Sequence, residues 1–99
     1  MKPLQKIQVK NCPSLREWGE TVKNQFEITI KTKAGTQRIF QSYDKVICLK
    51  DEEGQVWLDK KNWEYSRTTA KYRNQFLNED TATVRDKVKC GIYKLVDLN

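Results

Sequence analysis

The chain has no histidine at all. That removes the usual side-chain base of neutral pH and every Ser-His-Asp or Cys-His nucleophile pair. It also removes the commonest nitrogen ligand for zinc. Cysteine is scarce: Cys12, Cys48 and Cys90 lie far apart, without a C-x-x-C pair. Three such thiols suit neither a Cys₄ metal site nor a secreted disulfide framework, so they are read as reduced and partly buried. Only four glycines occur, and neither G-x-x-x-x-G-K-[ST] nor G-x-G-x-x-G is present. The phosphate loops that depend on those glycines are therefore missing. The acidic run "DEEG", residues 51 to 54, lacks the alternating oxygen ligands of a calcium loop and reads as a solvated turn. No apolar run is long enough to span a bilayer, and no membrane association is expected. The opening "MKPLQKIQVK" has no apolar signal-peptide core, so a cytoplasmic location is expected.

What the chain does have is charge and aromatic area. Lys and Arg number 19 against 13 Asp and Glu, a net charge of +6. That excess favours an anionic partner: nucleic acid, a nucleotide, or an acidic protein face. The plainer alternative is charge carried for solubility. Aromatics make up 10% of the residues, which argues against disorder.

At this length the expectation is a single domain, residues 1–99. Residues 1–23 read as a strand beginning near Leu4, followed by a loop with at most one helical turn after Pro13–Ser14. Residues 24–58 read as antiparallel strands. In "QFEITIKTK", Phe26, Ile28 and Ile30 alternate with Glu27, Thr29 and Lys31, the pattern of a half-buried strand. Ala34–Gly35–Thr36 turns the chain into "QRIFQSY". "DKVICLK" is apolar on both faces, as in a central strand. "QVWLD" follows the DEEG turn, and Trp57 faces away from Val56 and Leu58. A helix packed over Trp57 would make it core, which is the favoured reading; left exposed, it would mark an interaction patch. Residues 59–90 read as helices and 91–99 as a last strand. The fold class is α+β: a small antiparallel sheet of about five to six strands carrying one or two helices.

Over residues 59–78 the apolar period becomes helical. Tyr65, Thr69, Tyr72 and Phe76 share one face, and Asp59 is a candidate N-cap. Ser66, Thr68 and Thr69 are poor helix formers, so a break there is open. On a continuous helix, Lys60, Arg67, Lys71, Asn74 and Asn78 form a basic and amide stripe, with Trp63 beside it. Lys60, Lys61, Trp63, Arg67, Lys71 and Arg73 are therefore the candidate binding residues: cations for phosphates and a ring for a base. The plainer alternative is the ordinary solvated face of an amphipathic helix, with Arg73 paired to a carboxylate. A second basic set, Arg85, Lys87, Lys89 and Lys94, reads as solvated surface. A last helix is expected after Asp80 or Thr81, with Val84 and Val88 inward and Gly91 closing it.

The segments "FQSY" (Phe40–Tyr43), "VWLD" (Val56–Asp59) and "WEYSRTTAKYRNQFL" (Trp63–Leu77), with the closing "IYKLVDLN", resemble a family of short uncharacterised phage-encoded proteins. The resemblance runs over roughly residues 24 to 99. It implies a phage origin and action inside a bacterial cell, and supplies no activity. The combined expectation is a non-enzymatic binding protein without cofactor, monomeric or a small homo-oligomer. Nucleic-acid binding through the basic helix face is the leading function. The alternative is a protein-binding inhibitor of a host protein or ribonucleoprotein complex, such as an anti-CRISPR or other anti-defence factor. A nucleotide sponge ranks third.

Overall fold

The computed structural model describes residues 6–99. Strands β1 (Lys6–Pro13), β2 (Thr21–Thr32), β3 (Gly35–Ser42), β4 (Lys45–Lys50) and β5 (Val56–Asp59) form an antiparallel meander. Helices α1 (Arg67–Leu77) and α2 (Thr81–Lys89) follow, and β6 (Lys94–Val96) then pairs with β5 in parallel. Spatial order equals chain order, β1 to β6, in one sheet. Neighbouring strands joined by tight turns must run antiparallel, whereas a parallel neighbour needs a crossover. Here α1 and α2 are that crossover. The expected α+β class with five to six strands stands. Leu4, where the first strand was expected to begin, lies outside the described residues.

Turn chemistry explains the hairpins. Gly35 adopts φ 129° and Gly54 adopts φ 90°, backbone conformations that disfavour other residues. The Asp51 carboxylate accepts from the backbone N–H of Glu53 and Gln55, at 3.0 and 2.9 Å, and so clamps the DEEG turn. That turn is structural, as its sequence suggested. Strand β2 begins at Thr21, earlier than expected, so the preceding loop is short; Ser14 Oγ accepts from Arg16 N and Glu17 N there.

The helices cover one face of the sheet. Register places Glu27, Phe40, Cys48 and Leu58 side by side across β2 to β5 on that face. Phe40 stacks on Phe76 of α1 with ring centroids 6.1 Å apart, and Ser42 and Thr69 share a hydrogen bond of 3.0 Å. Phe40, Ile47, Cys48, Val56, Leu58, Tyr72, Phe76, Leu77, Val84 and Tyr93 belong to one buried core. Ile47 and Cys48 both enter it because β4 is bulged opposite Phe40–Gln41. α2 is capped by Asp80, whose carboxylate accepts from Thr83 N at 2.7 Å, and Gly91 follows it at φ 81°, as expected.

The other face carries no helix. Side chains alternate along a strand, so the residues between the core positions point away from α1. Val9, Ile28, Ile39, Leu49 and Trp57 are consecutive register partners across β1 to β5 on this second face. A row Ile7–Ile30–Gln37 flanks it on one side, and Asn11–Phe26–Gln41–Val46 on the other. The expectation that a helix covers Trp57 is therefore wrong: Trp57 is half-buried only by its neighbours on an open sheet face. Phe26, Ile28 and Ile30 lie on the same open face. The alternation in "QFEITIKTK" is real, but the core side of β2 is the polar set. Gln25 and Glu27 are buried there, and Glu27 is neutralised by Arg38, whose guanidinium also sits 4.9 Å from the Phe76 ring centre.

Candidate functional site

α1 starts at Arg67, not at Asp59. Ser66 is its N-cap: its hydroxyl accepts from Thr69 N at 3.1 Å, and its own backbone is extended. The poor helix formers at 66 to 69 thus mark a beginning instead of an internal break. Residues 60–65 are turns, set by Asp59. Its carboxylate accepts from Asn62 N, Asn62 Nδ2 and Leu98 N. The ideal stripe drawn through 60 to 78 is consequently not a surface of this molecule. Lys60 and Lys61 are exposed on the turn after β5. Tyr65, expected in the core, is 66% exposed because it precedes the helix.

Two other candidates are structural. Arg73 is 0% exposed and cannot meet a partner. Its guanidinium donates to the Trp63 carbonyl at 2.7 Å and to Asn74 Oδ1 at 2.8 and 3.2 Å, and lies 5.5 Å from the Trp63 ring centre. No carboxylate pairs with it among the described residues; the ion pairs there are Arg38–Glu27, Arg85–Glu64 and Lys87–Glu79. Burial accordingly pushes its pKa down from the ordinary arginine value. Trp63 packs against the core beneath this cation. Asn74, assigned to the stripe, is tied to Arg73 and Thr81, and Asn78 closes α1 in the left-handed conformation, φ 55°. Of the six candidate residues, Arg67 and Lys71 remain exposed on one face of α1 at i, i+4 spacing.

Lys71 lines a trough of about 580 Å³ between α1, the start of β2 and the loop after β1. Arg16 and Lys23 bring two more cations to it, and no carboxylate side chain contributes to its lining. Leu15, Val22 and Tyr72 make the apolar part. Tyr43 forms one wall and is 57% exposed. Its φ of 54° is in the left-handed region, and its N–H donates to the carbonyl of Asn24, itself at φ 64°. A tyrosine held there costs roughly 1 kcal/mol or more, a strain that collects at functional sites.

At the base of the trough lies Gln25, 2% exposed, whose side-chain oxygen has no hydrogen-bond partner among the described residues. An orphaned buried acceptor costs about 1–3 kcal/mol unless something donates to it. A second hollow of about 330 Å³ adjoins at Tyr43 and Thr68, and adds Tyr65, Ser66 and Lys45 around the N-terminus of α1. Asp44 also lines it. Together they make a channel with cations along it and a tyrosine in each part.

Sequence reasoning missed Arg16, Lys23, Gln25 and Tyr43 because they come from segments distant in sequence from the basic helix. A weak signal existed: Tyr43 precedes Asp44 at a strand end, where an exposed aromatic is unusual. Cys12 and Cys48 are buried and offer no competing chemistry, whereas Cys90, read as partly buried from its sequence, is exposed at the end of α2. Burial, with the Glu27 charge, pushes Cys12 up to about 11, and full burial raises Cys48 as well. Neither is a thiolate near neutral pH.

A family model described as a family of unknown function, DUF8033, matches residues 14–91. The chain belongs to that family. No curated protein and no solved structure matches it.

Proposed function

We propose that the chain binds single-stranded nucleic acid along this channel. Phosphates lie against Arg16, Lys23 and Lys71, and a base stacks on Tyr43 with Gln25 accepting from a base N–H. The observation that carries the reading is a trough with three cations, no carboxylate in its lining, and a buried unpartnered amide at its base. Cations track a backbone, an exposed ring takes any base, and an amide oxygen needs a donor. A duplex fits less well, because its bases are already stacked and Tyr43 stands on a short turn, not on an element that enters a groove. The phage origin implied by the family resemblance would place this binding in a bacterial cytoplasm.

Fluorescence polarisation with labelled single-stranded DNA, RNA and duplex DNA tests it. Three phosphate contacts on a single strand give a slope of about −2 in log K against log salt, or roughly a twentyfold loss between 50 and 200 mM salt. A Lys23→Ala, Lys71→Ala double variant should bring the slope to about −0.7 and weaken binding more than tenfold. Tyr43→Ala should weaken the single strand about tenfold. Binding indifferent to these variants would overturn the proposal, as would a duplex preference. If the chain ignores all three probes and instead retrieves a host protein, the inhibitor reading replaces this one. Equal competition by a mononucleotide would replace it with nucleotide sequestration.

A further inference from the structure

We infer that the second hollow of the channel selects guanine, with Asp44 reading the edge of the base; the inference rests on the single-strand reading above. That hollow, about 330 Å³, lies where the β3–β4 turn meets the start of α1, and Tyr43 and Thr68 join it to the trough. Asp44 is the only acidic residue lining either part, among the described residues. A carboxylate beside a track of phosphates repels the backbone and weakens a purely electrostatic grip. Its use must come from donors that the ligand brings. The fold itself makes no use of it. Asp51 clamps its turn, Asp59 ties down the segment before α1, and Asp80 caps α2, each by accepting from backbone N–H groups. Asp44 also stands in a turn, yet its carboxylate accepts no hydrogen bond and joins no ion pair among the described residues.

The surroundings narrow the guest. A cation is a poor match for this carboxylate, because Lys45 and the positive N-terminal end of α1 share the hollow. A neutral ring with N–H donors on its edge suits all of these groups: the ring on the exposed Tyr65, its donors on Asp44, its phosphate toward Lys45. The volume is at the small end for a ligand pocket, so the hollow takes one base. Among the common bases only guanine presents two adjacent donors, N1–H and the 2-amino group, on one edge. Adenine and cytosine place a lone pair beside their amino group, and thymine and uracil flank a single N–H with two carbonyls. Each of those sets an acceptor against one carboxylate oxygen. A carboxylate is acceptor-only and takes both guanine donors side by side, through charge-assisted bonds about twice as strong as neutral ones.

Fluorescence polarisation of the full chain with short labelled thymine strands, each carrying one central guanine, adenine, cytosine or hypoxanthine, tests this. The guanine strand should bind about tenfold more tightly than the adenine or cytosine strand, the discrimination that one bidentate base contact supplies. Hypoxanthine keeps N1–H but lacks the 2-amino group, so it should lose most of that preference. Asp44 is exposed, and Asp44→Asn should fold as the wild type does. That variant should lose the guanine preference yet bind an all-thymine strand at least as tightly as the wild type, because a negative charge has left the channel. A folding defect would instead weaken every strand. Tyr65→Ala should weaken all the strands about tenfold, since stacking is indifferent to the base. Equal binding of the four strands by the wild type overturns the inference and leaves the channel standing. So does an Asp44→Asn chain that still prefers guanine, or a Tyr65→Ala chain that binds like the wild type. A wild type that binds no strand overturns the channel reading and this inference with it.

Discussion

Arg73→Ala is expected to destabilise the chain by about 3–4 kcal/mol, a large part of the 5–15 kcal/mol that holds a domain of this size. The guanidinium is fully buried and joins three segments: the turn through Trp63, the body of α1 through Asn74, and the first residue of α2 through Thr81. Truncation orphans the Trp63 carbonyl, removes the cation from the Trp63 ring and leaves a cavity the length of the side chain. Arg73→Lys should recover little, since an ammonium cannot fork between the Trp63 carbonyl and Asn74 while lying flat on the ring. Urea denaturation followed by tryptophan fluorescence measures both. The opposite result, a fully stable Arg73→Ala chain that has lost nucleic-acid binding, would return Arg73 to the binding surface where its sequence context placed it.

Arg73 also shows how far the sequence was legible. The elements were: alternation located β2 and β3, turn residues located the hairpins, and the caps of α2 were visible as Asp80 and Gly91. These are local properties, and local chemistry decides them. Which face of a strand meets the helices is not local. In β2 the apolar residues face outward, and the core side holds Gln25 and Glu27, because Arg38 and the channel, contributed from elsewhere, set the polarity there. Sequence gives the period of a strand; the partner gives its sign.

The same limit governed the site. A basic stripe drawn on an ideal helix requires that helix to start where assumed, and seven residues of turn moved Lys60, Lys61 and Trp63 off it. An arginine one position from the stripe is indistinguishable in sequence from one under it. Lys71 survived because it lies well inside α1. Its partners Arg16, Lys23 and Tyr43 are assembled by the β1–β2 connection, the start of β2 and the β3–β4 turn, which no periodicity reports.

The second large effect falls on Asp59 and depends on pH. The residue is buried at the end of β5 and binds the turn, through Asn62, to the C-terminal segment, through Leu98. Burial alone would raise its pKa. The hydrogen bonds from Leu98 N, Asn62 Nδ2 and Asn62 N outweigh that and hold it below the ordinary 3.8. A folded pKa below the unfolded one means stability that is fully present above about pH 4–5. It is lost as pH falls through 3.8 towards the lower folded value. Asp59→Asn keeps the size but replaces one acceptor with a donor, facing either the two Asn62 groups or the Leu98 N–H. The expected cost at neutral pH is about 3 kcal/mol. As pH falls below 3.8 towards the lower folded value the wild-type carboxyl itself takes up its proton, so the gap between wild type and variant should narrow. Urea unfolding of both chains at pH 7 and at a series of pH values falling below 3.8 separates the cases. A gap of equal size at all these pH values would mean that Asp59 acts by shape alone, and that its charge contributes nothing to joining the sheet to the turn before α1.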